Sequence, residues 1–303
     1  MGNKHSKYPK LIYKINKSVD DKIQNKECPQ LHNQDDRFID RMQMLHHVMR
    51  CVWDGNFKAP LGEQLREGGV AVLDVCCGTA TWISEMAADF PKSTFVGIEK
   101  DSIFPEQKPK NVRIIQGDVL ENFPFPDNTF DLVYSRLNSL AFSEAQWRNH
   151  LIKEYVRVLK PGGYIECVEG GLISENSGTI VEQLSTAIEK TLILGGRNPF
   201  LESKFPEIIE SQPLMGEVTQ TEATMAIGSW GGQIGETGLV IMLNMMSGLK
   251  KGIMHHMKIN EKGLERVLED YKIEWSGCGT GCFGNAWKGS CPEVQNSTWQ
   301  NDM

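Results

Sequence analysis

Short apolar runs alternate with helical stretches between Val70 and Val168. Five runs rich in β-branched and aromatic residues predict strands, at 70–75, 94–98, 112–116, 130–134 and 164–168. Residues 81–90 and 143–159 carry apolar side chains at helical spacing and predict helices between these strands. This alternation predicts a parallel sheet with helices on both faces, whose ligands bind beyond the carboxyl ends of the strands.

Turn and capping signals bound several of these elements. Ser143 and Gln146 stand at the spacing of a capping box, and the Pro-Gly-Gly run within 160–163 ends that helix and leads into the last strand. Upstream, the apolar residues of 35–53 recur at helical spacing and end at the turn 54–56. We expect this amphipathic helix to cover the ligand.

The rest of the chain divides into a tail and a second half. Residues 1–30 are rich in Lys, Asn and Gln without a regular period and predict a disordered tail. Residues 31–303 are expected to form one domain, with a cofactor-binding core at about 69–170 and a cap that also completes the sheet at about 171–290. Within the cap, the patterns predict helices at 178–195, 236–256 and 259–271, and strands at 217–227 and 281–288.

One junction of strand, loop and helix carries the chemistry. The strand 70–75 holds Asp74 near its end, the small residues of 76–80 follow, and a helix opens at Thr81. A loop of small residues lets backbone N–H groups approach a ligand, and a helix N-terminus favours a negative group.

Two further acids follow the next strands. Glu99 lies 25 residues after Asp74, where a carboxylate can accept hydrogen bonds from both hydroxyls of a ribose. Asp118 follows the strand 112–116, where an adenine amino group could donate to it. The chain therefore places three acids at three successive strand ends.

Two classes of ligand are compatible with this arrangement. A dinucleotide favours Gly-x-Gly-x-x-Gly, but the small residues here stand at 76, 78 and 80, and Asp74 would face a pyrophosphate of like charge. S-adenosylmethionine (SAM) carries an ammonium group, a ribose and an adenine, so each of the three acids has one donor. The ordered set favours SAM, and a dinucleotide oxidoreductase remains the less favoured alternative.

These motifs make the chain resemble class I SAM-dependent methyltransferases over most of residues 35–290. Within that class it is most similar to a fungal group that includes the velvet-complex regulator-like methyltransferases. The shared features are Asp36-Arg37 through His46-His47 to Asp54-Gly55, Leu73-Asp74-Val75, Phe130-Asp131-Leu132-Val133 with Ser135-Arg136, Lys160-Pro161-Gly162-Gly163 and Ser229-Trp230-Gly231-Gly232. The resemblance implies an α/β fold, a Rossmann-like, doubly wound sheet of seven strands with an N-terminal helical cover and a helical insertion after strand five.

The resemblance also implies which residues hold SAM. The residues that would cradle the methionyl part are Asp74, Val75, Cys76 and Gly78. Those that would hold the ribose and adenine are Glu99, with Lys100 beside it, Asp118 and Val119. Ser135 and Arg136 would flank the methionyl end or the substrate mouth. The implied activity is methyl transfer to an acceptor that is either a small molecule or a protein side chain, and no catalytic residue is assigned, because in-line transfer needs mainly proximity.

The loop departs from the usual Gly-x-Gly-x-Gly at two positions. Ala80 is expected to cost little, because only a small side chain is needed there. Cys76 has a Cβ that narrows the approach to the ligand and disfavours positive φ. This departure, with the lack of a clear base, keeps open a second hypothesis, a non-catalytic SAM-binding regulator that acts through protein partners.

Several other residues have plainer interpretations. One of His46 and His47 could be a general base, but a packed and a solvated histidine on one helix are favoured. Trp53 and Trp82 could wall an adenosine pocket or lie in the core. The three cysteines near the C-terminus, which lack a neighbouring histidine and regular spacing and so predict no metal site, are Cys278, Cys282 and Cys291.

Composition and charge bear on the partners of the protein and on its cellular location. Hydrophobic residues make up 40% of the chain, which excludes a wholly disordered protein, and the net charge of −7 disfavours nucleic acid as a partner. The absence of an apolar leader predicts the cytoplasm, with the nucleus as an alternative. Residues 1–17 hold five lysines and no acid, and Gly2 and Ser6 fit the myristoylation pattern. A myristoyl chain on Gly2 beside these lysines predicts reversible attachment to the cytoplasmic face of a membrane.

Overall fold

A sheet of seven strands forms the centre of the protein. The computed structural model describes residues 38–174, 178–213, 215–216, 218–276 and 286–295, without the side chains of 171–174, 226 and 286–295. The strands are β1 (Ala71–Val75), β2 (Thr94–Glu99), β3 (Val112–Gln116), β4 (Phe130–Arg136), β5 (Leu159–Ser174), β6 (Thr219–Ala226) and β7 (Ala286–Gln295).

The strand order is β3-β2-β1-β4-β5-β7-β6. β1 lies between β2 and β4 and is parallel to both, with Leu73 opposite Val96 on one side and Val133 on the other. β7 runs antiparallel to β5 and to β6, its two neighbours. The predicted Rossmann-like sheet of seven strands is therefore confirmed, and its order is that of the class I methyltransferase fold.

Helices flank the sheet and continue into the cap. They are α1 (Phe38–Val52), α2 (Gly62–Glu67), α3 (Thr81–Asp89), α4 (Glu144–Gln146), α5 (Ile152–Val158), α6 (Thr179–Leu194), α7 (Phe205–Glu210), α8 (Gly232–Gly248), α9 (Lys250–Met257) and α10 (Glu261–Ser276). A π-helical turn, Trp147–Leu151, joins α4 to α5. The predicted capping box is present, because Ser143 Oγ accepts from the Gln146 amide and Gln146 Oε1 accepts from the Ser143 amide.

The alternation of side chains along β1 explains the two layers of helices. Leu73 is buried on one face in a cluster with Trp147, while Val72 is buried on the other face in a cluster with Leu65 and Ile83. Successive side chains of a strand point to opposite faces, so an apolar strand needs cover on both. Each fully buried Leu or Val contributes roughly 1.5–3 kcal/mol, which holds the helices against the sheet.

The cap forms a third apolar cluster. Val48 of α1 packs there with residues of α6 and α10, among them Leu184, Ile188 and Trp275. α6 and α7 follow β5, as the predicted insertion requires, and α8 to α10 connect β6 to β7. Among the described helices, none has the length and apolar character that a membrane span needs.

Three expectations for the second half differ from the structure. The predicted helix 236–256 is two helices, α8 and α9, which meet at Leu249. The last strand continues to Gln295, beyond the predicted end at 288, and it contains Gly289 and Pro292, residue types that argue against a strand interior. The predicted strand residues 281–285 lie outside the described part of the chain. α2 and α7 were not predicted, because six residues are too few to show a helical period. The predicted tail, 1–30, lies outside the described residues.

Candidate functional site

A cavity of about 570 Å³ opens at the carboxyl ends of β1, β2 and β4, beside the residues that follow β3. α1 covers it, with Phe38, Met42 and Leu45 in its wall, so the predicted helical cover is confirmed. Eight of the ten predicted site residues line the cavity, namely Asp74, Cys76, Gly78, Glu99, Lys100, Asp118, Val119 and Arg136. The site therefore lies where an open α/β sheet holds its ligand.

The other two predicted residues turn away from the cavity. Val75 is 1% exposed and packs in the core beneath the sheet. Ser135 is fully buried, and its Oγ lies 3.1 Å from Nδ2 of Asn138, which donates to it. Alternate residues of a strand face opposite ways, so the neighbours of Asp74 and Arg136 point into the core. Their side chains do not line the cavity, and the prediction that Val75 and Ser135 help to hold the cofactor stays a prediction.

The loop after β1 has three residues in the left-handed region. Cys76, Gly78 and Ala80 have φ of +57°, +56° and +59°. Glycine adopts this conformation freely, whereas a residue with a Cβ pays about 1–2 kcal/mol. The strain predicted at Cys76 is therefore present. The expectation that Ala80 destabilises the loop little is wrong. Its backbone has positive φ, a conformation that is strained for any residue with a Cβ, however small.

Glu99 fixes this loop against the end of β2. Its Oε2 accepts a 2.9 Å hydrogen bond from the Gly78 amide, and its Oε1 accepts from the amides of Lys100 and Asp101 at 2.8 and 3.1 Å. Three backbone donors thus orient one carboxylate at the cavity wall. A carboxylate has lone pairs left over for further donors, such as hydroxyl groups.

Asp74 is a buried carboxyl group at the end of β1. It is 4% exposed, and burial raises its pKa to about 8, although the charge of Arg136 opposes the shift. An opposite charge nearby favours the ionised form of such a group. The position is therefore suited to a ligand that brings a cation to it.

Asp118 carries an ion pair at the far side of the cavity. Lys100 Nζ lies 2.8 Å from its Oδ2, and the Leu120 amide donates to its Oδ1 at 3.0 Å. The hydrogen bond from Lys100, with that from Leu120, lowers the pKa of Asp118. Because the Lys100 side chain is 69% exposed, the pair is open to water and stabilises the fold little.

The two histidines of α1 have separate environments, as the favoured interpretation predicted. His46 is 5% exposed, and its Nδ1 lies 3.2 Å from both terminal nitrogens of Arg136. His47 is exposed. Neither side chain lines the cavity, so neither is positioned as a base toward a ligand there.

Two stacked aromatic rings form part of the wall. Trp82 and Tyr134 lie parallel, with ring centroids 3.7 Å apart, and the Trp82 indole N–H donates to the Asn56 carbonyl at 2.7 Å. Trp82 thus belongs to the hydrophobic core and also lines the cavity. Trp53 is buried in the same core cluster and does not line the cavity. Tyr134 was missed, although its place two residues before Arg136 puts both on one face of β4.

Parts of the wall come from outside the predicted site residues. Gln146 of α4, Arg197 of the cap, and Asp101 and Leu120 beside the predicted acids all line the cavity. The segment 137–142 contributes Leu140 and Phe142 among others. No motif marks Gln146 or Arg197, since their position depends on how the cap folds back.

The described residues contain no group of three or more His, Cys, Asp or Glu side chains placed to hold a metal ion. Cys278 and Cys282 lie outside the described part of the chain, and only the backbone of Cys291 is described. The prediction about these cysteines thus stays a prediction.

A family model matches the part of the chain that contributes most of the cavity wall. Residues 72–163 match the methyltransferase domain family. Demethylmenaquinone methyltransferase from Geobacillus sp. (strain WCH70) is 37% identical over 115 residues, which are 33% of this chain and 45% of that protein. The chain spans less than half the length of the curated relatives it matches.

Solved structures resemble the chain over more of its length. Phosphoethanolamine N-methyltransferase 2 of Haemonchus contortus, in complex with phosphomonomethylethanolamine and S-adenosylhomocysteine, is 14% identical with a TM-score of 0.47, covering 87% of this chain and 58% of that one. The cyclase SpnF is 16% identical with a TM-score of 0.46, covering 86% and 97%. Residues 72–163, which match the methyltransferase domain family, contribute most of the cavity wall, and the sheet has the strand order of the class I fold.

Proposed function

We propose that the protein is a SAM-dependent methyltransferase. The observation that carries the proposal is the meeting of three carboxylates from three successive strand ends, Asp74, Glu99 and Asp118, in one cavity. All three carboxylates lie within the segment that matches a methyltransferase domain family. A methyltransferase needs a pocket for one cofactor with an ammonium group, a ribose and an adenine, and this set offers one carboxylate to each.

The shape of the site supports SAM as the cofactor. A volume of about 570 Å³ is in the ordinary range for a cofactor pocket. A Cβ added to Gly78 would meet nothing within 4 Å, so the space over the loop is open toward a ligand. Three carboxylates, which only accept hydrogen bonds and carry the same charge as a pyrophosphate, argue against the dinucleotide alternative.

The residues of the chain would bind and orient the reactants rather than take part in bond changes. SAM, when bound, supplies a methyl group on a sulfonium, which is already a good electrophile. Asp74 would accept from the ammonium, Glu99 from the ribose and Asp118 from the adenine. Apolar residues of α1, Phe38 and Met42 among them, would exclude water from the cavity. Holding acceptor and methyl in line then provides most of the rate.

A second candidate function is a SAM-binding regulator without turnover, acting through protein partners. The strained backbone at Cys76 and the position of His46 outside the cavity wall favour it. The two candidates differ in one measurable property, since both bind SAM and only the enzyme consumes it.

The test of the proposed function is turnover with radiolabelled SAM. The purified chain is incubated with methyl-tritiated SAM and with fractions of a cell extract, separated into small molecules and proteins. Transfer of label into either fraction supports the enzyme and identifies the acceptor class. Binding of SAM without transfer to any fraction would favour the regulator.

We further propose the subfamily of the protein, the class of partner that it lacks and its attachment to a membrane. Membership of the fungal velvet-complex regulator-like group is supported by the run at 229–232, which forms a 3₁₀ turn and opens α8. The absence of a nucleic-acid partner is supported by the net charge of −7. Reversible membrane attachment through a myristoylated Gly2 rests on the sequence alone, because Gly2 lies outside the described residues.

A further inference from the structure

Arg136, the last residue of β4, lines the cavity. Its Nη1 and Nη2 each lie 3.2 Å from Nδ1 of His46, which belongs to α1. A guanidinium has five N–H donors and no acceptor, so the histidine nitrogen must be the acceptor in this contact.

The other ring nitrogen of His46 explains why Nδ1 is free to accept. Nε2 is hydrogen-bonded to Oε2 of Glu85 on α3, and a carboxylate can only accept, so Nε2 carries the proton. Burial lowers the pKa of His46, and the charge of Arg136 lowers it further, which keeps the ring neutral at pH 7. The neutral tautomer with Nδ1 unprotonated is the form that fits both neighbours.

Glu85 is itself held in place. Arg50 of α1 forms an ion pair with its Oε1, and its Oε2 faces His46. Burial alone would raise the pKa of Glu85, but the hydrogen bond from His46 and the charge of Arg50 outweigh it and lower the pKa. A chain of contacts thus runs from Arg50 through Glu85 and His46 to Arg136.

Asp74 is a second charged neighbour of Arg136 at the cavity wall. β1 and β4 are adjacent strands, and Arg136 interacts electrostatically with Asp74. Both side chains line the cavity. A buried carboxyl group beside a fixed guanidinium matches a ligand that carries an ammonium and a carboxylate on one carbon, the α-amino acid group. The guanidinium fork is the donor arrangement that pairs best with a carboxylate.

We propose that Arg136 binds the methionyl carboxylate of the cofactor, and that His46 is the positioning residue that holds the guanidinium for this contact, with Glu85 fixing the tautomer of His46. The inference rests on the proposed function. His46 acts only through Arg136, because it is buried behind the cavity wall. The arrangement also couples α1, the cover helix, to the state of the cofactor site.

The test compares two ligands that differ only in the carboxylate. S-adenosylhomocysteine has it, and decarboxylated S-adenosylhomocysteine lacks it while keeping the ammonium, thioether, ribose and adenine. Isothermal titration calorimetry gives the ratio of the two dissociation constants for each variant. The wild type is expected to prefer S-adenosylhomocysteine by about 10- to 100-fold, the range of a hydrogen bond to a charged group.

The variants distinguish a role of His46 in positioning Arg136 from a general role in stabilising the fold. His46→Ala and Arg136→Ala are expected to lose most of the preference, whereas His46→Asn, whose Oδ1 can replace Nδ1 as an acceptor, keeps most of it. His47→Ala, an exposed neighbour on the same helix, is the matched control and keeps the full preference. If His46→Ala does not fold, Glu85→Ala, at a position that is 24% exposed, is used in its place with the same expected loss.

Two results would overturn the inference. One is a wild type that binds both ligands equally, which means that the carboxylate is not recognised. The other is a His46→Ala protein that binds both ligands more weakly by the same factor, which means that His46 supports the fold and not the position of Arg136. A wild type that binds neither ligand would contradict the proposed function itself, and this inference with it.

Discussion

The amide of Gly78 donates a 2.9 Å hydrogen bond to Oε2 of Glu99 and ties the loop after β1 to the end of β2. One carboxylate therefore has two tasks. It shapes the loop that would face the methionyl part of SAM, and it would accept hydrogen bonds from the ribose. Because these tasks share one side chain, removing it should affect binding beyond the loss of a single contact.

Glu99→Ala should weaken SAM binding by roughly 5- to 150-fold, which corresponds to the ~1–3 kcal/mol of a lost partner for buried donors. Calorimetric titration with SAM measures the change. Glu121→Ala removes an exposed acid outside the cavity wall and serves as the control. An unchanged dissociation constant in Glu99→Ala would show that the ribose does not lie at the end of β2.

Cys76→Gly should tighten SAM binding and also raise the melting temperature. At φ +57° a side chain is strained by about 1–2 kcal/mol, and this relief exceeds the entropy that glycine adds to the unfolded chain. Thermal unfolding and titration with SAM give both quantities.

The matched control for the loop is Gly78→Ala. It adds a Cβ at φ +56° where nothing lies within 4 Å, so it should introduce strain without a clash and lower the melting temperature. A Cys76→Gly protein with lower stability and weaker binding would show that the side chain of Cys76 contributes more by packing than it costs in strain.

The cofactor half of the site was largely predictable from the sequence. Asp74, Glu99 and Asp118 follow strands whose apolar pattern is strong, and parallel strands bring their carboxyl ends to one edge. The local sequence pattern did not show that Asp74 rather than Val75, and Arg136 rather than Ser135, would line the cavity. Each pair sits on adjacent residues, and only the actual strand orientation shows which member faces the ligand.

The contacts between distant segments were not predictable. His46 and Arg136 are 90 residues apart, and Arg197 reaches the cavity through the fold of the cap. Such contacts depend on tertiary packing, and tertiary packing between distant segments leaves no periodic pattern of residues in the sequence. The part of β7 beyond residue 288 was missed for a related reason, since its pairing with β5 and β6 overrides the poor strand propensity of Gly289 and Pro292.

Glu202 should make the stability of the protein depend on pH. It is 8% exposed, its Oε2 has no hydrogen-bond partner among the described residues, and burial raises its pKa to about 7. The unfolded chain ionises this group from about pH 4.5, while the native state keeps it protonated up to about pH 7. The free energy of unfolding should therefore fall as pH rises through this window, by on the order of 3 kcal/mol from this group.

Urea unfolding of the wild type and Glu202→Gln at pH 5 and pH 8 measures this contribution. Because glutamine does not titrate, the variant should lose less stability between the two pH values than the wild type. Glu210→Gln, at an exposed position of α7, should behave like the wild type. Equal losses in Glu202→Gln and the wild type would show that Glu202 is already ionised in the native state at pH 5.

Gly2 should carry a myristoyl group when the protein is made in a eukaryotic host. Intact-protein mass spectrometry detects the modification, and flotation with anionic liposomes measures attachment. Five lysines in residues 1–17 should make flotation sensitive to salt, and Gly2→Ala should abolish it. An unmodified Gly2, or flotation that does not respond to Gly2→Ala, would reduce this segment to a basic leader without a lipid.

Calorimetric titration of the full chain with S-adenosylhomocysteine and, separately, with NAD tests most directly whether the cavity between β1, β2 and α1 binds SAM. We expect one binding site per chain for S-adenosylhomocysteine, no heat with NAD, and markedly weaker binding of S-adenosylhomocysteine in Asp118→Ala. Binding of NAD in place of S-adenosylhomocysteine, or no binding of either, would contradict SAM binding in this cavity.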